Sequence, residues 1–388
     1  MPTSPVQLPL TGLKVLDFAQ LLAGPAAALR LADLGAEVVK IERPKGGDLC
    51  RSLVINDQTF EGDSLLFHAF NRNKQSVAAD LKDPLDLDRV KELIASADVM
   101  IHNFRPGVMD RIGLDYDTVH RLNPRLVYGV VTGYGDAGPW RDKPGQDLLI
   151  QAMSGLTWLS GNADHAPVPT GLPLLDVQTG ANLVQGILAA LLRRGMTGQG
   201  GLVEVDMMSC ALDLQFEQLT AYLNDDKGIP PRSAVSNANV YGTAPYGIYA
   251  TKDGYLALAM TPLERLETLL PCPELSRFAQ DQAFAERDVI KAVLADLLRS
   301  QSTQHWLDRL EPADIWCAKV MTWAELEQTD GFAALKPVQT ITTKSGFSAR
   351  TTRCPIRIDG HILTSPVGAP ALGADTETYF PAAETELS

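Results

Sequence analysis

One carboxylate in this sequence lies where it could do chemistry. Asp176 follows apolar residues at 172–175 and precedes a helical pattern over 181–194. As a structural residue it would cap that helix, because a carboxylate at a helix N-terminus accepts backbone N–H bonds and meets the positive end of the dipole. As a catalytic residue it would be a nucleophile with its oxygen directed outward. The local sequence favours the capping role, so the rest of the chain has to decide.

The chain that positions Asp176 alternates between strand and helix patterns. Its first helix consists of strong helix formers, ends at Gly35 and lies between two apolar strands, which is a βαβ unit. The predicted strands are 13–18, 37–42, 76–80, 99–103 and 125–132, and the predicted helices are 26–34, 84–95, 108–113 and 145–155. This alternation predicts an α/β fold with a Rossmann-like, doubly wound parallel sheet.

Polar loops follow several of the predicted strands. The loop 43–48 carries two cations and two glycines, and the loops 103–107 and 133–139 follow later strands. Ligands bind at the carboxyl ends of strands in open α/β sheets, so all three loops are candidate ligand sites, although a solvated turn explains the first equally well. The first turn lacks the G-x-G-x-x-G fingerprint, which disfavours an NAD-dependent dehydrogenase.

The pattern changes after residue 213. Residues 224–245 are polar and rich in Pro, Gly and Asn, as in a linker or loop. A hairpin is predicted at 246–260, followed by helices at 262–271, 285–299 and 301–311, a return strand at 316–321 and two strands within 331–357. We therefore predict a large domain over 1–213 completed by 350–388, a linker and active-site loop at 214–245, a smaller α+β domain at 246–330 and a return linker at 331–349.

Composition excludes several classes of function. The 388-residue chain has 34 Lys+Arg against 47 Asp+Glu, a net charge of −13, which argues against nucleic acid or a membrane surface as partner. We expect no membrane-spanning run and no signal sequence, and therefore a cytoplasmic protein. The five scattered cysteines form no C-x-x-C pair and fit reduced thiols. The six histidines show no ligand spacing, so no metal site is predicted.

Several short motifs together resemble one known family. The chain is similar, over nearly its whole length, to the class III CoA-transferases, also called CaiB/BaiF proteins, a group that includes formyl-CoA transferase, carnitine CoA-transferase and the alpha-methylacyl-CoA racemases. Each motif is weak alone, and their joint order and spacing carry the match. The matching stretches are residues 16–18 with 23–25, 33–44, 71–74, 103–107, 123–125, 133–135, 138–139 and 197–200.

The resemblance implies a fold and a mechanism. Members of this family form interlocked homodimers in which each ring-like subunit is threaded through the other. In the transferases an Asp attacks an acyl-CoA donor and carries the reaction through aspartyl anhydride and aspartyl-CoA thioester intermediates, and Asp176 matches that residue. Coenzyme A and acyl-CoA are then substrates, and no permanently bound cofactor and no metal is expected.

The resemblance also implies which residues bind CoA in the large domain. Arg43 and Arg111 match family arginines near the nucleotide, where phosphates require fixed cations. Asn103 and Phe104 match residues that line the path of the adenine and pantetheine. Two further candidates for the same path are Lys82, for which a solvated position is an equal alternative, and Met109.

Two alternatives to a transferase remain open. Racemases of the family need two acid–base groups, and they carry His and Glu where this chain has Gln146 and Thr261. Neither of these residues can move a proton, which places the racemase, or an epimerase of 2-methylacyl-CoA, second. A non-catalytic CoA-binding protein is the other alternative, and the presence of Asp176 argues against it.

Departures from formyl-CoA transferase predict a different substrate. That enzyme has a Gln where this chain has Leu22, with Gln20 two residues earlier, and a glycine-rich flap where residues 237–246 contain one glycine. We therefore expect succinyl-CoA or a similar short dicarboxylyl-CoA as donor, and a small branched or unsaturated dicarboxylic acid, not oxalate, as acceptor. The predicted substrate pocket consists of Gln20, Leu22, Gln146, Asn239, Tyr241 and Thr261.

Overall fold

The computed structural model describes residues 7–55 and 57–381, which form two compact units. The first unit comprises Met1–Ile150, Pro173–Cys210 and Leu335–Ser388, and the second comprises Gln151–Leu172 and Ala211–Ala334. This division differs from the predicted domain boundaries, and residues 335–349 of the predicted return linker belong to the first unit. Residues 151–172 belong to the second unit, and so does the segment predicted as a linker, which contains the helix Phe216–Leu223.

The first unit is built on a six-stranded parallel sheet. Its strands run in the order β3-β2-β1-β4-β5-β6, so the order reverses between β1 and β4. In such sheets the crevice outside the carboxyl ends of the strands at this reversal is the usual ligand site. The strands are β1 (Lys14–Asp17), β2 (Glu37–Glu42), β3 (Gln75–Ala78), β4 (Val99–His102), β5 (Val127–Thr132) and β6 (Gly201–Asp206).

Helices connect these strands and continue into the second unit. They are α1 (Ala23–Asp33), α2 (Leu65–Asn71), α3 (Pro84–Ser96), α4 (Val108–Ile112), α5 (Tyr116–Leu122), α6 (Asp147–Met153), α7 (Leu174–Thr197), α8 (Met207–Leu214), α9 (Phe216–Leu223), α10 (Leu263–Leu269), α11 (Arg287–Leu298), α12 (Thr303–Leu310), α13 (Trp323–Glu327), α14 (Asp330–Leu335) and α15 (Thr376–Tyr379). The predicted alternation of strands and helices is confirmed.

Both faces of the sheet are covered, as in a doubly wound fold. Alternate residues along a strand point to opposite faces, and Val15 packs with α1 and α7 while Leu16 packs with α3 and α5. The apolar residues of both faces are almost fully buried. The prediction of a doubly wound parallel sheet is therefore confirmed.

Helix α7 begins seven residues earlier than predicted. The sequence pattern placed its start at residue 181, whereas the structure starts it at Leu174, so Asp176 lies in its first turn. The prediction stopped at Gly180 because glycine is a weak helix former. In the structure the helix continues through Gly180, where packing against α1 requires a residue without a side chain. A Cβ at this position would lie 2.7 Å from the carbonyl oxygen of Ala23, because α1 and α7 approach closely.

By length and composition alone, α7 could cross a membrane. The expectation that no segment is long and apolar enough to do so is therefore wrong. The apolar face of α7 is nevertheless the face of a core helix. Leu183, Val184 and Ile187 are buried in one cluster with α1 and the sheet.

The second unit contains a three-stranded antiparallel sheet. Its central strand β8 (Tyr255–Leu258) pairs with β7 (Gly247–Ala250) and β9 (Cys317–Lys319), which confirms the predicted hairpin and return strand. The helices α10, α11 and α12 match the three predicted there and pack in one core around Trp306. In the first unit β10 (Val338–Thr342) pairs with β11 (Ser348–Thr352), which are the two strands predicted within 331–357. Two-residue strand pairs complete the structure, Thr59–Phe60 with Asp63–Ser64 and Arg357–Ile358 with His361–Ile362.

Candidate active site

A cavity of about 460 Å³ opens at the carboxyl edge of the parallel sheet, within the first unit. The segment after β1, the segment after β4 and the first turn of α7 contribute to its wall. Six of the residues predicted to bind CoA or substrate, or to act in catalysis, line this one cavity: Gln20, Leu22, Asn103, Phe104, Gln146 and Asp176. The strand reversal at β1 and β4 is what brings them together, as expected for this fold.

Asp176 does not cap the helix on which it lies. Pro173 is at the N-cap position and makes no capping hydrogen bond with its side chain. The cap comes instead from Asp147, whose Oδ2 accepts hydrogen bonds from the backbone N–H of Leu175 (2.7 Å) and of Asp176 (3.1 Å). The capping interpretation of Asp176 is therefore wrong, and its carboxylate is directed to the cavity that it lines.

The surroundings of Asp176 change its acidity. Its carboxyl group is half-buried, and this burial is the main cause that raises its pKa to about 7. The negative charge of Asp147 is the second cause. A carboxylate with few water molecules around it and a raised pKa is a better nucleophile than a solvated one. The two aspartates at the start of α7 thus have separate roles, one in holding the helix and one facing the cavity.

A second, smaller cavity of about 190 Å³ lies beside the first. Phe104, Arg105, Pro106 and Thr132 line both cavities, so the two are adjacent. Aromatic rings share the lining of the second cavity with the acidic residues Asp110, Asp115, Asp136 and Glu204. Among the rings, His102 stacks on Phe104 at 6.0 Å between ring centroids and meets the edge of Tyr128 at 5.3 Å. Met109 also lines it, and its predicted place on the CoA path stays a prediction.

Burial lowers the pKa of His102 to about 4, so its imidazole is neutral at pH 7. The second cavity therefore offers flat, uncharged aromatic surfaces, which suit a nucleobase. Sequence reasoning did not single out His102, because it lies inside a strand and has no ligand spacing to other histidines.

Three of the predicted CoA residues line neither cavity. Arg43 is exposed in the loop after β2. Its Nε and Nη2 donate hydrogen bonds to the carbonyl oxygen of Gly47 at 3.3 Å and 3.1 Å, respectively. Arg111 is exposed on α4, and Lys82 is exposed in the turn before α3. Their contacts with CoA stay predictions.

The remaining pocket residues belong to the second unit. Asn239 accepts a hydrogen bond at Oδ1 from the backbone N–H of Tyr241 at 2.9 Å, and Thr261 is buried just before α10. Their part in a substrate pocket also stays a prediction.

The structure adds three cationic residues that sequence reasoning missed. Arg105, Arg141 and Lys143 line the same cavity as Asp176. Arg141 pairs with Asp136 at 3.3 Å and with Asp142 at 3.1 Å. Only the position of Arg105, inside the 103–107 motif, gave any signal in the sequence, because charged residues in polar loops usually face water.

Comparisons with known proteins agree with this geometry. The model of the family described as CoA-transferase family III matches residues 10–376. The succinyl-CoA:glutarate CoA-transferase of Mus musculus is 33% identical over 319 residues, which are 79% of this chain and 71% of that protein. The acetyl-CoA:oxalate CoA-transferase of Acetobacter aceti is 33% identical over 362 residues, 91% of this chain and 90% of that protein.

A solved structure extends the agreement to the fold. The crystal structure of a CAIB/BAIF family protein from Brucella suis superimposes with a TM-score of 0.82 at 31% identity, covering 95% of this chain and 98% of that one. The family match spans both units and includes every residue of the cavity described above. The chain therefore belongs to CoA-transferase family III and is a CoA-transferase, as the resemblance in its motifs predicted.

Proposed function

We propose that this enzyme transfers CoA from succinyl-CoA, or a similar acyl-CoA, to a small dicarboxylic acid through covalent intermediates on Asp176. The observation that carries the proposal is that two different aspartates cap α7 and face the cavity. Asp147 supplies the cap, and Asp176 faces a cavity large enough for a substrate with its pKa raised to about 7. A carboxylate in that position is suited to attack a thioester.

The first half of the reaction transfers the donor's acyl group. An Oδ of Asp176 attacks the thioester carbonyl, the C–S bond breaks, and CoA leaves as a thiolate, so that a mixed anhydride joins the acyl group to Asp176. The thiolate then attacks the Asp176 carbonyl carbon and expels the donor acid as a carboxylate. The result is an aspartyl-CoA thioester.

The second half repeats these steps with the acceptor. The acceptor carboxylate attacks the aspartyl thioester, expels the CoA thiolate and forms a second mixed anhydride. The thiolate attacks the acceptor's carbonyl carbon in that anhydride, which releases the new acyl-CoA and restores the Asp176 carboxylate. Each step exchanges one acyl bond for another of similar energy, so no external reductant, oxidant or nucleotide is consumed.

The adjacent cavities support a path for CoA. In this proposal the adenine lies against Phe104 and Met109 in the aromatic cavity, and the pantetheine passes Asn103 toward Asp176. Arg43, Arg111 and Lys82 are the proposed partners of the phosphates, since the chain as a whole is acidic and needs local cations for an anionic ligand.

The lining of the larger cavity supports a dicarboxylic acceptor. Arg141 and Lys143 carry positive charge there, and Gln20 and Gln146 carry amide donors for a second carboxylate. Leu22 supplies an apolar wall. Asn239, Tyr241 and Thr261 stay predicted substrate-binding residues that do not line this cavity. Glutarate and oxalate, which appear in the relatives' names, are both dicarboxylates. Gln146 cannot act as an acid or base, so a racemase has no support from this cavity.

One panel assay tests the proposal. Wild-type protein with succinyl-CoA should use glutarate with a kcat/KM at least about 10-fold above that for butyrate, because a lost charged hydrogen bond costs roughly 1.5–3 kcal/mol. Asp176→Ala should abolish transfer while its circular dichroism stays that of the wild type.

The matched control is Asp117→Ala, which removes an exposed Asp from the first turn of α5 and should leave transfer unchanged. Substantial transfer by Asp176→Ala would remove this residue as nucleophile, and equal rates with glutarate and butyrate would remove the dicarboxylate assignment.

The proposal extends to the oligomeric state and the cellular compartment of the enzyme. We propose an interlocked homodimer working in the cytoplasm. Exposed apolar side chains support a partner surface: Leu192 and Met196 lie one turn apart on α7, and Phe216 and Leu223 lie two turns apart on α9, all at least 69% exposed.

A further inference from the structure

The segment that follows β1 forms one wall of the cavity that contains Asp176. Gln20, Leu21, Leu22 and Ala23 all line that cavity. Leu21 has a φ of +64°, a left-handed conformation that costs a side-chain-bearing residue energy. Such a conformation persists only where neighbouring contacts enforce it, so the contacts of this wall segment show what holds it.

Asp48 and Asn103 hold the wall segment through its backbone. Oδ1 of Asp48 accepts a hydrogen bond from the backbone N–H of Leu21 at 3.0 Å. Oδ1 of Asn103 accepts from the N–H of Gln20 at 2.8 Å, and its Nδ2 donates to the Gln20 carbonyl oxygen at 2.7 Å. These bonds fix the two residues that enter the left-handed turn.

A buried lysine fixes Asp48 in turn. The Lys40 ammonium lies 2.7 Å from Oδ2 of Asp48 and 3.7 Å from Oδ2 of Asp17, and it donates to the Ala19 carbonyl oxygen at 2.7 Å. Both Lys40 and Asp48 are almost fully buried. Burial acts to lower the pKa of Lys40, but the charges of Asp17 and Asp48 outweigh it and keep the ammonium charged.

A second buried lysine secures the other end of the segment. Lys74 donates to Oδ2 of Asp17 at 2.9 Å and to the carbonyl oxygen of Pro25, in the first turn of α1, at 3.0 Å. Two lysines and two aspartates thus form a buried cluster of balanced charge. Burying such ions costs solvation energy that an apolar cluster would not, so their presence calls for a reason besides stability.

We propose that Asp48 is a positioning residue of the transfer reaction: oriented by Lys40, it holds Leu21 in its left-handed conformation and so sets the wall of residues 20–22 against the substrate on Asp176. The inference rests on the proposed function, because it assigns that wall a part in CoA transfer. The competing interpretation is that the cluster only stabilises the fold.

Two substitutions of Asp48 separate these interpretations. Asp48→Ala removes the acceptor of the Leu21 and Cys50 N–H groups. Asp48→Asn keeps an amide oxygen for these groups and replaces the carboxylate oxygen that faces Lys40 with an uncharged NH2 group. Both variants leave Lys40 without its nearest anion, so both should unfold at lower urea concentration than the wild type. We expect kcat to fall roughly 10- to 100-fold in Asp48→Ala, because small displacements at an active site are that costly, and to recover most of this loss in Asp48→Asn.

A buried ion pair at the C-terminal end of α1 gives the matched control. Asp33 pairs with Arg72 at 2.5 Å and lines neither cavity. Asp33→Ala should lower the urea midpoint as Asp48→Ala does, since both changes remove one partner of a buried pair. It should leave kcat within about 2-fold of the wild type, because Asp33 does not contact the wall segment. If kcat followed the urea midpoint across all three variants, the role of Asp48 would be structural and the proposal would be overturned.

Hydrogen exchange provides a readout that does not depend on activity. The peptide covering residues 18–25 should exchange faster in Asp48→Ala than in Asp48→Asn, because only the former frees the Leu21 amide. Faster exchange with an unchanged kcat in the variant would contradict the positioning role. If wild-type protein transferred no CoA at all, the proposed function would fail, and the exchange result would still show whether Asp48 holds the wall.

Discussion

At the residue scale, the start of α7 is shared by two carboxylates with different tasks. Asp147 accepts hydrogen bonds from two of the N–H groups that a helix start leaves open, although it lies 28 and 29 residues away from them in the chain. Asp176 is thereby released from capping. The cost of this arrangement is electrostatic, because the charge of Asp147 adds to burial in raising the pKa of Asp176.

This arrangement predicts the pH dependence of the reaction. In the proposed mechanism only ionised Asp176 attacks the thioester, and its pKa is raised to about 7, so kcat/KM should fall as the pH drops through 7. Asp147→Asn removes the neighbouring charge and keeps an oxygen for the Leu175 N–H. Its acid limb should therefore lie at lower pH than that of the wild type in a pH–rate profile. An acid limb that did not move would show that Asp147 has no electrostatic effect on the reacting group.

Residue types and motifs were enough to predict part of the cavity. The sequence assigned separate substrate, CoA and catalytic roles to a set of residues that line one cavity: Gln20, Leu22, Asn103, Phe104, Gln146 and Asp176. These roles stay predictions. The helix cap by Asp147 was not predictable, since it joins residues far apart in the chain. The cations at 105, 141 and 143 were missed because the sequence does not show which exposed charges face a cavity and which face bulk water.

At the element scale, the contact of α1 with α7 positions the site. α1 follows the wall segment and α7 carries Asp176, and the two helices approach closely where Gly180 meets Ala23. The sequence pattern gave the existence and the parallel pairing of the strands, because alternation and apolar runs encode them. It misplaced the start of α7, because helix propensity alone argues against Gly180 and the compensating contact is tertiary.

This contact makes a substitution test possible. Gly180→Ala places a methyl group 2.7 Å from a backbone oxygen, so it should cost about 1–3 kcal/mol of unfolding free energy and lower kcat by displacing the first turn of α7. Gly195→Ala, on the same helix with open space around it, should instead stabilise the protein by roughly 0.5–1 kcal/mol and leave kcat unchanged. Urea unfolding and steady-state kinetics of both variants check this, and a harmless Gly180→Ala would show that the helices have room to separate.

At the scale of the whole molecule, an acidic chain has to bind an anionic substrate. The net charge of −13 repels CoA at long range, so binding depends on cations placed at the site itself. Of the described residues that line the cavity of Asp176, Arg105, Arg141 and Lys143 carry such charge. The overall charge therefore argues against polyanionic macromolecules as partners and is compatible with a small anionic ligand bound by local cations.

The proposed interlocked homodimer leads to a prediction about assembly. If two chains are threaded through each other, they cannot separate while folded, so dimer mass and circular dichroism should be lost together across a urea titration. Light scattering and circular dichroism on the same samples measure this. A folded species with the mass of one chain at intermediate urea would contradict the threaded arrangement.

The central claim is that CoA becomes covalently attached to Asp176 during transfer. Protein mixed with succinyl-CoA without acceptor, quenched in acid and analysed by intact mass spectrometry should gain the mass of CoA less one water. After digestion, that gain should map to the peptide containing Asp176, and an excess of glutarate added before quenching should decrease it while glutaryl-CoA forms. Turnover without any adduct, or an adduct on a different residue, would contradict the account.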